Sequence, residues 1–128
     1  MNPLARLDGI FDCEIDRIDC LSFEAISSEL AIVLVSGEET IGGITIGLKQ
    51  LQSLIDYLKR AMKYPTILCS GFQCEIDSND WLNCVAIHDE LVIKLKISGD
   101  CVGGITIGRG QIQNLINYLE PAKEVVRS

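Results

Sequence analysis

The stretch that decides the fold occurs twice. GGITIGLKQLQSLIDYLKRA (Gly42 to Ala61) returns as GGITIGRGQIQNLINYLEPA (Gly103 to Ala122), 61 positions later and with 13 of 20 residues identical. Its first part is short, apolar and β-branched, as a strand is. Its second part changes period: Leu51, Leu54, Ile55 and Leu58, matched by Ile112, Leu115, Ile116 and Leu119, stand at i, i+3, i+4, i+7, the stripe of an amphipathic helix. Gly47 and Gly108 fall where strand turns into helix, a place that accepts glycine as N-cap. The first helix is predicted to end near Met62, before Tyr64-Pro65, and the second at Pro121.

Upstream of each copy the likeness continues at the same offset, FDCEID (Phe11 to Asp16) against FQCEID (Phe72 to Asp77). Phe11, Cys13 and Ile15 alternate with Asp12, Glu14 and Asp16, which predicts a half-buried strand with its acids in water. A turn around Arg17 to Asp19, or Ser78 to Asp80, leads to a second strand near Leu21 to Ile26 and Leu82 to Ile87. LAIVLV (Leu30 to Val35) and LVIKLKI (Leu91 to Ile97) form the third, and GGITI the fourth. Each unit reads β-β-β-β-α, an antiparallel meander with one helix laid across a face. The expected class is α+β, with repeats at 9–63 and 70–123 related by a pseudo-twofold in one compact domain over 1–128. A unit of roughly sixty residues buries little apolar surface alone, so two halves sharing a core are expected.

Composition narrows the function. The chain has 128 residues, 48% hydrophobic, with no apolar run of the roughly 18 residues that span a bilayer. MNPLARLDG lacks an apolar signal core, so a cytoplasmic location is expected. The formal charge is −7, and from Asp8 to Glu29 seven carboxylates face only Arg17. That disfavours nucleic acid and anionic membranes, which need a cationic surface, and favours a basic protein partner. Of six cysteines only Cys13 and Cys74 are equivalent; there is no C-x-x-C and one histidine, His88. No metal site is expected, and the cysteines read as reduced, mostly buried thiols.

The remaining signals admit plain readings. GGITIG lacks the spacing and lysine of a phosphate loop, and Gly42, Gly43, Gly103 and Gly104 read as bulge or turn residues, so no cofactor is expected. Glu14 with Asp16, and Glu75 with Asp77, read as a solvated strand face or an acidic docking surface rather than an acid-base pair. His88 belongs to a loop or strand edge. Trp81 reads as a core cap or a contact anchor. Gln50, Gln52 and Tyr57 recur as Gln111, Gln113 and Tyr118; they satisfy backbone groups at the strand-to-helix junction, or line a ligand pocket between the halves. One asymmetry stands out: Lys94 and Lys96 share a face of the second copy's third strand, whereas either Ile32 and Leu34 or Val33 and Val35 occupy that face in the first. Such a surface asks for a cover: the arm Met1 to Leu7, the partner helix, a second copy forming a homodimer, or another protein.

The order of strand, Ser-Gly turn, GITIG strand and a helix reading Q-[LI]-x-x-L-I-x-Y-L resembles the PC4/whirly type of single-stranded nucleic-acid-binding fold. That resemblance implies four strands before each helix and two units paired across a twofold. The chemistry departs from it, because such binders present basic strands with interleaved aromatics, and here Asp12, Glu14, Asp16, Glu75 and Asp77 occupy them. In size, charge and lack of catalytic machinery the chain is also similar to bacterial immunity proteins and phage inhibitors such as anti-CRISPR proteins. That similarity implies a non-enzymatic protein that neutralises a basic partner such as a toxin. The candidate contact residues are Asp12, Glu14, Asp16, Asp19, Glu24 and Trp81.

Overall fold

The structure, a computed structural model, describes residues 6–64 and 66–127. In chain order it contains β1 (Arg6–Asp12), β2 (Asp19–Ile26), β3 (Glu29–Ser36), β4 (Glu39–Ile46), α1 (Leu48–Lys63), β5 (Leu68–Gln73), β6 (Trp81–Ile87), β7 (Glu90–Ile97), β8 (Asp100–Gly108) and α2 (Arg109–Arg127). β1 to β4 form one antiparallel sheet in sequence order, and β5 to β8 form the other. The α+β class and the tandem β-β-β-β-α units are as expected.

Register follows the 61-residue offset throughout. Leu30 pairs with Ile46 and Leu34 with Gly42 in the first sheet; Leu91 pairs with Ile107 and Leu95 with Gly103 in the second. The Ser-Gly pairs, displaced by one position relative to that offset, occupy different places in otherwise matching turns. Gly37 (φ 64) opens the β3–β4 turn, whereas Ser98 (φ 52) and Gly99 (φ 88) make the β7–β8 turn. Each fourth strand then carries a bulge, between Leu34/Val35 and between Leu95/Lys96 on its partner. Gly104 is the second residue past the second bulge, and a Cβ there would strike the backbone carbonyl of Ile93.

The two halves share one core. Phe23, Leu30, Ile32, Leu51, Ile55 and Leu58 from the first and Leu82, Leu91, Ile107, Leu115 and Leu119 from the second are all at most 1% exposed in a single cluster. Each helix clasps the opening strand of the other half. Tyr57 Oη donates to Leu68 O and Tyr118 Oη to Leu7 O, both at 2.8 Å, and the rings meet Phe72 and Phe11 edge-on. Burial pushes both phenols well above their usual pKa. Reciprocal contacts of this kind are what a twofold axis produces. Lys59 and Glu120, equivalent positions, meet each other at 2.5 Å. A true twofold would oppose identical charges there; duplication allowed the two copies to diverge into an ion pair.

Three expectations are corrected. The first strand of each unit ends at Asp12 or Gln73, so FDCEID is only partly strand. Ile15 and Ile76, expected in the core, are 77% and 78% exposed. The cause is that the chain leaves its own sheet and crosses to the other: Glu14 N–H donates to Thr106 O and Glu75 N–H to Thr45 O, each at 2.8 Å. Cys13 Sγ accepts from Thr106 N–H at 3.3 Å and Cys74 Sγ from Thr45 N–H at 3.4 Å. Secondly, α2 runs through Pro121 to Arg127. Proline forfeits one backbone bond, while Ala122, Val125 and Val126 continue the buried stripe and Val126 O accepts Ser28 N–H. Thirdly, only Cys13, Cys74 and Cys84 are buried; Cys69 and Cys101 are exposed and Cys20 is intermediate.

Candidate functional site

Because side chains alternate along a strand, each sheet has one face on the core and one outward. In the first sheet the outward positions form cross-strand rows: Asp8–Glu24–Ala31–Thr45, Ile10–Ser22–Val33–Gly43 and Asp12–Cys20–Val35–Thr40. The equivalent rows of the second sheet are Cys69–Val85–Val92–Thr106, Gly71–Asn83–Lys94–Gly104 and Gln73–Trp81–Lys96–Cys101. The register therefore resolves the open alternative: Val33 and Val35 stand where Lys94 and Lys96 stand, and Ile32 and Leu34 are core. Both helices pack on the inward faces, so neither covers Val33 and Val35; the arm 1–5 lies outside the described residues.

The outward face of the first sheet is apolar in the middle and acidic around it. Val33 and Gly43 floor a depression of about 230 Å³, walled by Ala31, Thr45, Ile76, Asp77 and Asp80. Ile76 belongs to the crossing loop of the second half, so both repeats build this surface. Gly43 is required flush: a Cβ there would lie 2.7 Å from Ile32 O. Ile10, 67% exposed, extends the apolar strip across β1. Asp8 and Glu24 share Arg6, at 3.0 and 3.2 Å, and Asp12 stands beside Cys20. Burial, then Asp12 and Asp19, raises the pKa of the Cys20 thiol.

The six candidate contact residues do not form one site. Asp12 and Glu24 lie on this face. Glu14 instead turns onto α2: its Oε2 accepts Gly108 N–H at 2.5 Å and Gln111 Nε2–H at 3.2 Å. Glu75 takes the same place against Gly47 at α1. Asp16 braces its own turn by accepting Ile18 N–H, and Asp19 opens β2 with its carbonyl accepting Cys13 N–H. Trp81 lies on the other sheet, its ring over Gly71, and does not cap the core. The repeated glutamines serve the backbone: Gln111 Nε2 donates to Asp12 O at 3.0 Å and Gln50 Nε2 to Gln73 O. Gln52 and Gln113 each reach one turn along their helix. His88 occupies the β6–β7 turn at φ 55. Among the described residues, no group of three or more His, Cys, Asp or Glu is placed to hold a metal ion, and no helix is long and apolar enough to cross a membrane.

Alternation within FQCEID points Ile76 to the core, and the structure puts it on this outward surface instead; Gly43, expected at a bulge or turn, follows the β4 bulge and lies flush in the floor of the depression. Comparison with protein-family models, with curated proteins and with solved structures finds no match to this chain.

Proposed function

We propose that the chain is a non-enzymatic acidic binding protein that neutralises a basic partner protein, in the manner of an immunity protein for a toxin or a similar inhibitor. One observation carries the reading. Two backbone-equivalent outward faces have diverged in charge, one bearing Asp8, Asp12 and Glu24 and the other Lys94 and Lys96. The core positions stay apolar in both halves, with Phe23 against Cys84 and Leu51 against Ile112 as exchanges, while the outward faces differ in charge, as a face set apart for a partner would. Asp8 and Glu24 share the single cation Arg6 and Asp12 adds a further charge, so the face keeps a net negative charge that steers a cationic protein and discriminates against anionic ones. The test is capture from the native cell by the full chain, followed by identification of the captured protein. A basic protein whose binding and activity are blocked, with both effects lost on Asp12→Lys plus Glu24→Lys, supports the reading; a complex indifferent to the reversal refutes it.

A second reading draws on Trp81 beside Lys96 in the second sheet, where a stacking ring and a cation are cross-strand neighbours. A single nucleic-acid strand on that face would bind in a salt-sensitive way. Titration with a labelled oligonucleotide separates the two.

A further inference from the structure

We infer that the outward face of the first sheet, and not its equivalent in the second, is the docking surface, and that it takes a protein segment with an apolar centre and basic flanks. The inference rests on the neutralising reading above and deepens it. Acidic charge alone would leave the site anywhere from Asp8 to Glu29. The structure withdraws Glu14, because its carboxylate caps α2, and Asp16, because the crossing loop that carries it joins β8 of the second sheet; Asp19 alternates with the outward Cys20 and so falls on the other side of β2. What remains together is the apolar strip of Val33, Val35 and Ile76 with Asp12, Glu24 and Asp77 at its margins, Glu24 sharing Arg6 with Asp8 and Asp77 also accepting Asn79 N–H, so that the margin is acidic on balance. An apolar, desolvatable centre inside a charged rim is the anatomy of protein interfaces. The charge complement of that rim is a ring of lysine or arginine.

The second sheet supplies an internal control. At the same two backbone positions it carries lysines, which project into water and leave the strand pairing intact. Val33→Lys with Val35→Lys therefore installs side chains that this strand geometry already tolerates, and loss of binding in that variant is not loss of fold.

The experiment uses the full chain, isotopically labelled, titrated with a blocked eight-residue peptide alternating lysine and valine, and follows amide shifts. Shifts are expected to cluster at Ala31, Val33, Gly43, Thr45 and Ile76. Val33→Thr with Val35→Thr keeps β-branched shape and charge but adds hydroxyls, and should weaken binding by about tenfold, the loss of roughly two methyl burials. Val33→Lys with Val35→Lys should abolish it, while Lys94→Gln with Lys96→Gln should leave it unchanged within about twofold. No shift at about 1 mM peptide, shifts confined to the second sheet, or undiminished binding by the threonine pair would each overturn the surface assignment. Any of these results leaves the neutralising reading to its own capture experiment, so the two failures are distinguishable.

Discussion

Glu14 is the sharpest point at which an acidic side chain can be asked whether it serves a partner or the fold. Its carboxylate accepts the Gly108 amide at 2.5 Å, at the entrance to α2, and the Gln111 side chain at 3.2 Å. Glu14→Ala removes a charge-assisted bond to an orphan helix amide and an anion at the positive end of the helix dipole. N-cap losses run at about 0.5–2 kcal/mol and dipole losses at about 0.3–1 kcal/mol. The site is exposed, which puts the expected cost at about 1–2 kcal/mol. At an unfolding entropy of roughly 2.1 cal/mol/K per residue, that lowers Tm by about 4–7 °C. Glu14→Gln keeps an acceptor and should cost about 0.5 kcal/mol. The assay is urea unfolding followed by the fluorescence of Trp81, the only tryptophan. Asp12→Ala is the comparison, because Asp12 lies on the outward face and its side chain should matter little to stability. Equal costs for the Glu14 and Asp12 variants would refute the cross-half cap.

Gly104→Ala forces a Cβ into the Ile93 carbonyl across the ladder and should cost about 2–4 kcal/mol; Gly110→Ala, with open space around it, should gain up to about 0.5 kcal/mol, both read as urea midpoints. Lys59→Glu opposes two acids on the pseudo-axis and should destabilise by about 0.5 kcal/mol, while Lys59→Glu combined with Glu120→Lys should recover it in a double-mutant cycle. Burial pushes the Cys84 thiol up to about 12 from 9.0, so the unfolded chain releases this proton first; stability should fall as pH rises from about 9 towards 12. Cys84→Ala should lessen that slope in urea midpoints measured across the same range, most clearly at its lower end, the remainder belonging to Tyr57 and Tyr118, whose phenols are raised in the same direction.

Much of the fold was legible because its signals are local. The change of period inside GGITIGLKQLQSLIDYLKRA requires a strand followed by a helix, and the second copy requires the same. Pro121 misled because a local stop signal was weighed without the packing of Ala122, Val125 and Val126 downstream. Ile15 and Ile76 misled because alternation inside FDCEID and FQCEID continues past the point where the chain leaves its sheet. Asp12 and Glu24 were legible as surface acids. Val33 against Ile32 was not decided, since a one-residue change of register exchanges the two faces of a strand.

The sequence by itself determined the elements, their duplication and the apolar stripes, because propensity and periodicity act over a few residues. It also determined the acidic bias of the first half. Only the tertiary structure decided which acids are available. Glu14 and Glu75 are 61 residues apart, yet each sits at the helix entrance of the opposite half, a contact that depends on crossing the pseudo-twofold. The same crossing carries Ile76 onto the first sheet and completes the apolar strip around Val33. Long-range pairing sets those neighbours, and no period along the chain encodes it.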